Sequence, residues 1–311
     1  MIAGAHGDRH QRSFYFIIEP MQFNSTPPKN IAIVAHPNME GAPEEALKVE
    51  AALNDAGIAT ASWASMSDET LRRRLARGEF EILIALGGDG TMLRAGHLGG
   101  PFGVPVLGIN LGRFGFLTEL KRDGWAAYIA ELAAGHFRVE QRMMIRAEHR
   151  RGDLSLGQWE VLNDVVVCRG RFVRPITLQA SVDGYQLARY FADGLIAATP
   201  TGSTAYALAV GGPILPPELR NILIIPVAPH LSVDRAVILS EGSCVTIRVF
   251  TNHEAVFSVD GQAPLTMLEG DEIFVDASPN SAGFVRFQDP GYFYRNLTHL
   301  MEQNPVFGSY T

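Results

Sequence analysis

Hydrophobic positions along this chain follow two different rhythms. From Asn30 to about Phe137, short apolar runs alternate with stretches at helical spacing. Ile31–Val34 reads as a strand stopped by His36-Pro37, and residues 43–56 carry Ala46, Leu47, Val49, Ala52 and Leu53 on a helical face ending at Gly57. A second strand is expected at 57–62 and a helix around Leu71–Ala76. Glu81–Leu86 reads as a buried strand halted by Gly87-Gly88, Val104–Ile109 as another, and 124–134 as a further helix. Strands alternating with helices predict a parallel sheet covered on both faces.

Beyond about residue 138 the pattern becomes β-rich. Asp183-Gly184 lies between Ile176–Val182 and Tyr185–Phe191, and Asp260-Gly261 between Ala255–Val259 and Pro264–Met267. Asp-Gly between strands predicts a hairpin, because both central residues of a type I′ turn take positive φ. Asn163–Cys168, Asn221–Val227 and Cys244–Phe250 add further β segments, and Tyr292–Met301 has helical spacing. The expected organisation is a disordered extension at 1–28, an α/β nucleotide-binding domain at 29–137, a mostly β domain at 138–282, and a segment at 283–311 that packs back on the first domain.

Composition narrows the partners. The 311 residues are 47% hydrophobic, enough for a sizeable core, and the net charge is −7. The longest basic run is Arg72-Arg73-Arg74, too little for a nucleic-acid footprint. The only lysines are Lys29, Lys48 and Lys121, and no Gly-Lys step exists, which excludes a Walker A loop. Cys168 and Cys244 are far apart in sequence, and the nine histidines have no metal-ligand spacing. No apolar run approaches the ~20 residues needed to span a bilayer. Residues 1–28 do not read as a signal peptide, and a cytoplasmic location is expected.

Three stretches can carry chemistry. Gly87-Gly88-Asp89-Gly90-Thr91 follows a strand and precedes a helix, where backbone N–H groups can approach a phosphate. Asp89 there can accept a proton or hold Mg²⁺ through water, or it can simply cap the helix. Asn110–Leu117 contains glycines without the dinucleotide fingerprint spacing, and reads equally as a tight turn packing phenylalanines. Asp193-Gly194, followed by Thr199–Tyr206, offers hydroxyls and an aromatic face for a nucleoside, or a loop in which Thr201 caps a helix. Asn163-Asp164 and Asp260-Gly261-Gln262 are weaker signals, the latter a hairpin turn first.

Taken in order, these stretches resemble the NAD kinase family over roughly residues 30–290. Gly87–Thr91, Asn110–Glu119, Asn163-Asp164, Asp193–Leu195, Thr199–Tyr206, Gly211–Ile214 and Asp260–Gln262 carry the likeness, and the Thr199–Tyr206 block is its most specific part. The resemblance implies an α/β domain with a Rossmann-like parallel sheet and a sandwich-like β domain, with NAD between them and ATP as donor. It places Asp89 beside the ribose 2′-hydroxyl as general base or metal anchor, with Gly87, Gly88, Gly90 and Thr91 at the donor phosphates. Asn163 and Asp164 match the pair holding the adenosine ribose, Asp193 the acid at the nicotinamide amide, and Thr204, Ala205 and Tyr206 the pocket lining. It further implies Mg²⁺ carried mainly by ATP phosphates, and a homodimer or homotetramer. Polyphosphate is a second candidate donor. The chain departs from the family at Asp164, at Ala209-Val210-Gly211-Gly212 and at Pro229–Ala236. A lipid kinase sharing the glycine loop and a non-catalytic NAD(P) sensor are the competing readings. The first lacks a basic amphipathic segment, and the second would not need the Asp89 loop.

Overall fold

The computed structural model describes residues 25–295 and 297, apart from 37, 113–114, 172–173, 231–233 and 252. The expected disordered extension lies outside the described residues up to 24. Residues 25–28 belong to the fold instead, since the Ser25 N–H donates to the Gly135 carbonyl and its hydroxyl to that of Phe137.

The first half comprises β1 (Asn30–Ala35), α1 (Ala42–Asp55), β2 (Ala59–Trp63), α2 (Glu69–Ala76), β3 (Ile82–Gly87), α3 (Asp89–Gly99), β4 (Val106–Asn110), β5 (Leu120–Lys121) and α4 (Ile129–Ala133). A 3₁₀ turn at Trp125–Tyr128 forms the start of the helix expected at 124–134. β1 pairs in parallel with β2 and β3, and β3 with β4. Successive side chains of a strand point to opposite faces. Ile31 and Ile33 accordingly pack with Val49, Leu53 and Leu132 of α1 and α4, while Ala32 and Val34 pack with Leu71, Leu75 and Met92 of α2 and α3. Burial on both faces is why these strands read as unbroken apolar runs.

The second half contains β6 (Arg138–Arg151), β7 (Leu154–Val161), β8 (Asp164–Arg169), β9 (Ile176–Val182), β10 (Tyr185–Ala192), β11 (Gly194–Ala198), α5 (Tyr206–Ala209), β12 (Asn221–Val227), β13 (Val237–Ser240), β14 (Val245–Val249), β15 (Ala255–Val259), β16 (Leu265–Met267) and β17 (Glu272–Arg286). Six of these strands form one sheet in the order β13-β12-β11-β8-β15-β16. It faces β9, β14, β17 and β6 across a shared core that includes Val165, Val167, Leu195, Ile224 and Phe257 against Ile145, Leu178, Ile247 and Val275. That is the sandwich. The outer face of the six-stranded sheet is also covered, by Ala207 and Leu215 over Ile196, Leu223 and Ile225.

Both Asp-Gly pairs take the expected backbone. Asp183 and Gly184 have φ of 53° and 83°, and Asp260 and Gly261 48° and 68°. The first joins β9 to β10 directly, with Val182 opposite Tyr185. At the second, the β15–β16 ladder stops at Phe257 opposite Leu265, so the loop is longer than two residues.

The two halves are not separate sheets. The long strand β17 pairs with β14 and β6, and its Phe284 pairs in parallel with Val106 of β4. β17 therefore runs through the boundary expected at 282 and makes one eleven-stranded sheet of the two rhythms. Of the helix expected at Tyr292–Met301, residues 292–295 are helical, and the remainder apart from 297 lies outside the described residues.

Candidate functional site

Topology fixes where the site lies. The chain leaves β1 outward to β2 and returns on the other side of β1 as β3, giving the order β2-β1-β3-β4. Open α/β sheets bind ligands at such a reversal, outside the carboxyl ends of the strands. A cavity of ≈ 270 Å³ opens there, lined by Ala35, His36, Asn38, Ser65, Thr91 and Arg94. Thr91, at the end of the Gly87–Thr91 loop, forms part of the cavity wall. Gly88 is extended (φ −100°, ψ −172°) and precedes the first turn of α3. A Cβ added at Gly88 or Gly90 would meet nothing within 4 Å, so the protein itself leaves that backbone uncovered.

Asp89 is the first residue of α3, but its carboxylate does not cap that helix. Its two oxygens accept the N–H groups of Phe116 and Leu117, at 2.9 and 3.2 Å. Burial raises its pKa, against those two N–H donors and the nearby Arg286 and Arg142 guanidinium groups. Gly115 lies so close that an added Cβ would fall 2.2 Å from the carboxylate. The Asn110–Leu117 stretch thus grips Asp89 with its backbone, while Leu111 and Leu117 also pack on the core. Arg113 and Phe114 lie outside the described residues.

A buried ion cluster holds this loop from behind. Arg286 of β17 donates to the Leu117 carbonyl and to Glu119, each at 3.2 Å, and to Glu140 of β6 at 3.3 Å. Arg142 of β6 lies 2.6 Å from Glu140 and donates to Thr201 Oγ1 at 3.3 Å. Burial opposes ionisation of Glu140, yet Arg142, Arg286 and Arg138 hold its carboxyl at about 2. Burial, with the Arg286 charge beside it, lowers the Arg142 pKa against Glu140, whereas Glu140 and Glu119 overcome burial and raise that of Arg286. Through Arg142 the cluster touches the Thr199–Tyr206 loop. Thr201 makes no capping bond to the 3₁₀ turn Gly202–Thr204, because its hydroxyl serves Arg142. Thr199 takes the capping role, accepting from the Gly202 N–H at 3.1 Å.

The second group of residues lines the six-stranded sheet. Asp260 accepts the N–H groups of Leu162, Asn163 and Asp164 at 2.7–2.9 Å, and His97 Nε2 lies 2.5 Å from it. The Asp260 turn is therefore first of all the anchor of Asn163-Asp164. The Asn163 carbonyl accepts from the Thr199 N–H at 2.9 Å, and an added Cβ at Gly202 would lie 2.0 Å from it. Asp164 is buried, and its pKa is pushed up to about 7 by that burial and by Asp260, against the Tyr206 N–H. Asp193 pairs with Arg169 at 3.2 Å.

In the β8–β11 ladder Ala198 stands opposite Asp164, while Gly194, next to Asp193, stands opposite Cys168. The two acids therefore mark opposite ends of the same strand pair, roughly 15 Å apart at about 3.3 Å per residue. Tyr206, exposed at the start of α5, lies between them: burial, Cys168, Asp193 and Asp164 all raise the pKa of its hydroxyl. Thr204 and Ala205 are half-buried beside it.

Sequence reading finds both groups of residues but not what joins them. Arg142, Glu140, Arg286 and His97 belong to no motif; the one signal is charge at inward positions of β6 and β17, where it breaks the alternation. Among the described residues no cluster of three His, Cys, Asp or Glu side chains is placed to hold a metal. No described helix is long and apolar enough to cross a membrane.

Comparison with known proteins gives the family and the fold. The family model described as the ATP-NAD kinase N-terminal domain matches residues 31–137, and that of the ATP-NAD kinase C-terminal domain matches residues 162–287. The NAD kinase of Heliobacterium modesticaldum is 39% identical over 234 residues, 75% of this chain and 82% of that protein. That of Symbiobacterium thermophilum is 42% identical over 219 residues, 70% and 77% of the two chains. Yeast NADH kinase, solved in complex with NADH, superposes with a TM-score of 0.78 at 26% identity, covering 89% of this chain and 88% of that one. An Archaeoglobus fulgidus NAD kinase in complex with ATP has a TM-score of 0.69 at 24% identity, covering 87% and 98%, and shows the shared fold.

Proposed function

Because the chain belongs to the NAD kinase family, converting NAD to NADP with ATP, we propose that Asp89 is the acid at which the acceptor hydroxyl loses its proton. The observation that carries this role is the carboxylate's fixed aim. Two backbone N–H groups hold both oxygens at the start of α3, while burial makes the group a stronger base than an exposed aspartate. In the transfer, a bond forms between the ribose 2′-oxygen and the γ-phosphorus of ATP. The bond from that phosphorus to the β-phosphate oxygen breaks, ADP leaves, and the hydroxyl proton passes to Asp89. Such a reaction asks mainly for alignment and for neutralisation of charge.

The residues divide these tasks. Gly88 and Gly90 present uncovered backbone to the donor phosphates, Gly87 and Thr91 pack against each other beside them, and Arg94 lines the cavity with Thr91. Asn163 and Asp164 hold the adenosine ribose, and Asp193 takes the nicotinamide amide. Tyr206, Ala205 and Thr204 lie along the dinucleotide, and the separation of the two acids along β11 suits an extended ligand. A divalent cation, Mg²⁺ or another, would be carried by the ATP phosphates and neutralise their charge, with Asp89 the carboxylate within the loop. Polyphosphate is a second donor for the same wall. A homodimer or homotetramer is supported by the apolar side chains exposed on edge strands, Tyr185 and Leu187 on β10 and Ile238 on β13. A cytoplasmic location fits the two unpaired cysteines.

Incubation of the purified protein with ATP, Mg²⁺ and NAD, with NADP read through an NADP-specific dehydrogenase, tests the reaction. Metal-dependent NADP formation is the expected result. Bound NAD without product would contradict it.

A further inference from the structure

Between α3 and the turn at Asp260 lies an open groove of ≈ 530 Å³, with Gly90, Arg94 and His97 on one wall and Asp260 and Gln262 on the other. The two walls are joined by a contact that no step of the phosphoryl transfer uses. His97 Nε2 lies 2.5 Å from Asp260 Oδ2. A carboxylate oxygen only accepts, so the imidazole nitrogen carries the hydrogen. The Asp260 side chain is 1% exposed and holds its position at a positive φ. Its other donors, the N–H groups of Leu162, Asn163 and Asp164, all come from the turn that opens β8. One carboxylate thus gathers three donors from the ribose-binding turn and one from the helix that begins at Asp89.

Asp89 and His97 are eight residues apart on α3, about 12 Å along its axis. The helix transmits any shift at His97 to Asp89. Apolar contact alone does not fix its rotation or slide: at Gly96 an added Cβ would lie 2.9 Å from a Leu162 methyl, which sets how close helix and turn come but not their register. A short directional hydrogen bond one residue further on supplies that constraint. We infer that His97 is a positioning residue whose hydrogen bond to Asp260 sets the register between the helix carrying Asp89 and the turn carrying Asn163 and Asp164. The inference rests on the assignment of Asp89 and that pair to the same ribose.

The test compares His97→Ala and His97→Gln with the wild-type protein in kcat, in the NAD dissociation constant by calorimetry, and in Tm. The Gln amide can place an N–H near the imidazole Nε2. His97→Ala is expected to lower kcat by about tenfold or more, since misplacement by ~1 Å is that costly. NAD affinity and Tm should stay near wild type, and His97→Gln should recover most of the rate. Unchanged kcat in His97→Ala would overturn the inference. So would a loss of rate matched by losses in NAD affinity and Tm that Gln does not recover, which is the mark of a merely structural contact. Wild-type protein that forms no NADP would overturn the reaction itself, and the inference with it.

Discussion

At Asp89 the geometry separates binding from chemistry, because the side chain is oriented by the Phe116 and Leu117 N–H groups. Asp89→Asn keeps the volume but loses the base and one of the two N–H acceptors, so turnover should fall by at least about 10²–10⁴-fold while NAD still binds in calorimetry. Unchanged turnover would remove Asp89 from the proton transfer. Asp164 carries a different prediction. Its folded pKa of about 7 lies above its ordinary 3.8, so the buried carboxyl favours folding when protonated. That contribution is complete below pH 3.8 and is lost as pH rises through about 7. Asp164→Asn should therefore be more stable than wild type at pH 8, on the order of 2 kcal/mol in urea unfolding, and close to it at pH 4. A difference that does not change between the two pH values would contradict the account. Neither property of Asp164 can be read from its place in the chain, since Asp260 is 96 residues away.

Elements differ in whether the protein or a ligand fills the space beside them. The Gly202 position is occupied by the Asn163 carbonyl, 2.0 Å from an added Cβ, so the turn Gly202–Thr204 cannot keep its place with alanine. Gly202→Ala should cost about 1–3 kcal/mol in stability and weaken NAD binding. At Gly88, by contrast, a Cβ meets no protein atom and the backbone is extended. Gly88→Ala should leave Tm near wild type and raise KM for ATP, and a steady-state titration of each substrate distinguishes the two variants. If Gly88→Ala raised KM for NAD alone, the loop would not face the donor. Helices and strands of the first half were legible because their apolar periods are strong. β6 and β17 were not, since Glu140, Arg142 and Arg286 put charge where a core period expects apolar residues.

At the scale of the molecule, the two halves are joined by one long strand and by the ion cluster it carries. Arg286 is 6% exposed and pairs with both Glu119 and Glu140. Arg286→Met leaves those carboxylates short of a partner, and should cost about 3–5 kcal/mol in urea unfolding at pH 7. The sign with pH follows from Glu140, whose folded pKa of about 2 lies below its ordinary 4.5. Its contribution is present above pH 4.5 and is lost as pH falls through about 2, so wild type should lose stability over that range more steeply than Arg286→Met. Equal acid limbs would show that Arg286 does not hold Glu140 ionised. The loops at Gly87–Thr91, Asn163-Asp164 and Thr199–Tyr206 stood out through the family resemblance, whereas the sequence by itself determined the α/β and β-rich rhythms and both Asp-Gly turns. These are local properties, set by periodicity and by the backbone conformations that glycine and aspartate favour. Only the tertiary structure decided that Asp89 is gripped by the 116–117 backbone, that Asp260 anchors a turn, and that β17 merges two sheets into one. Each of those joins residues distant in sequence, and hydrogen bonds and ion pairs between distant residues leave no period in the chain.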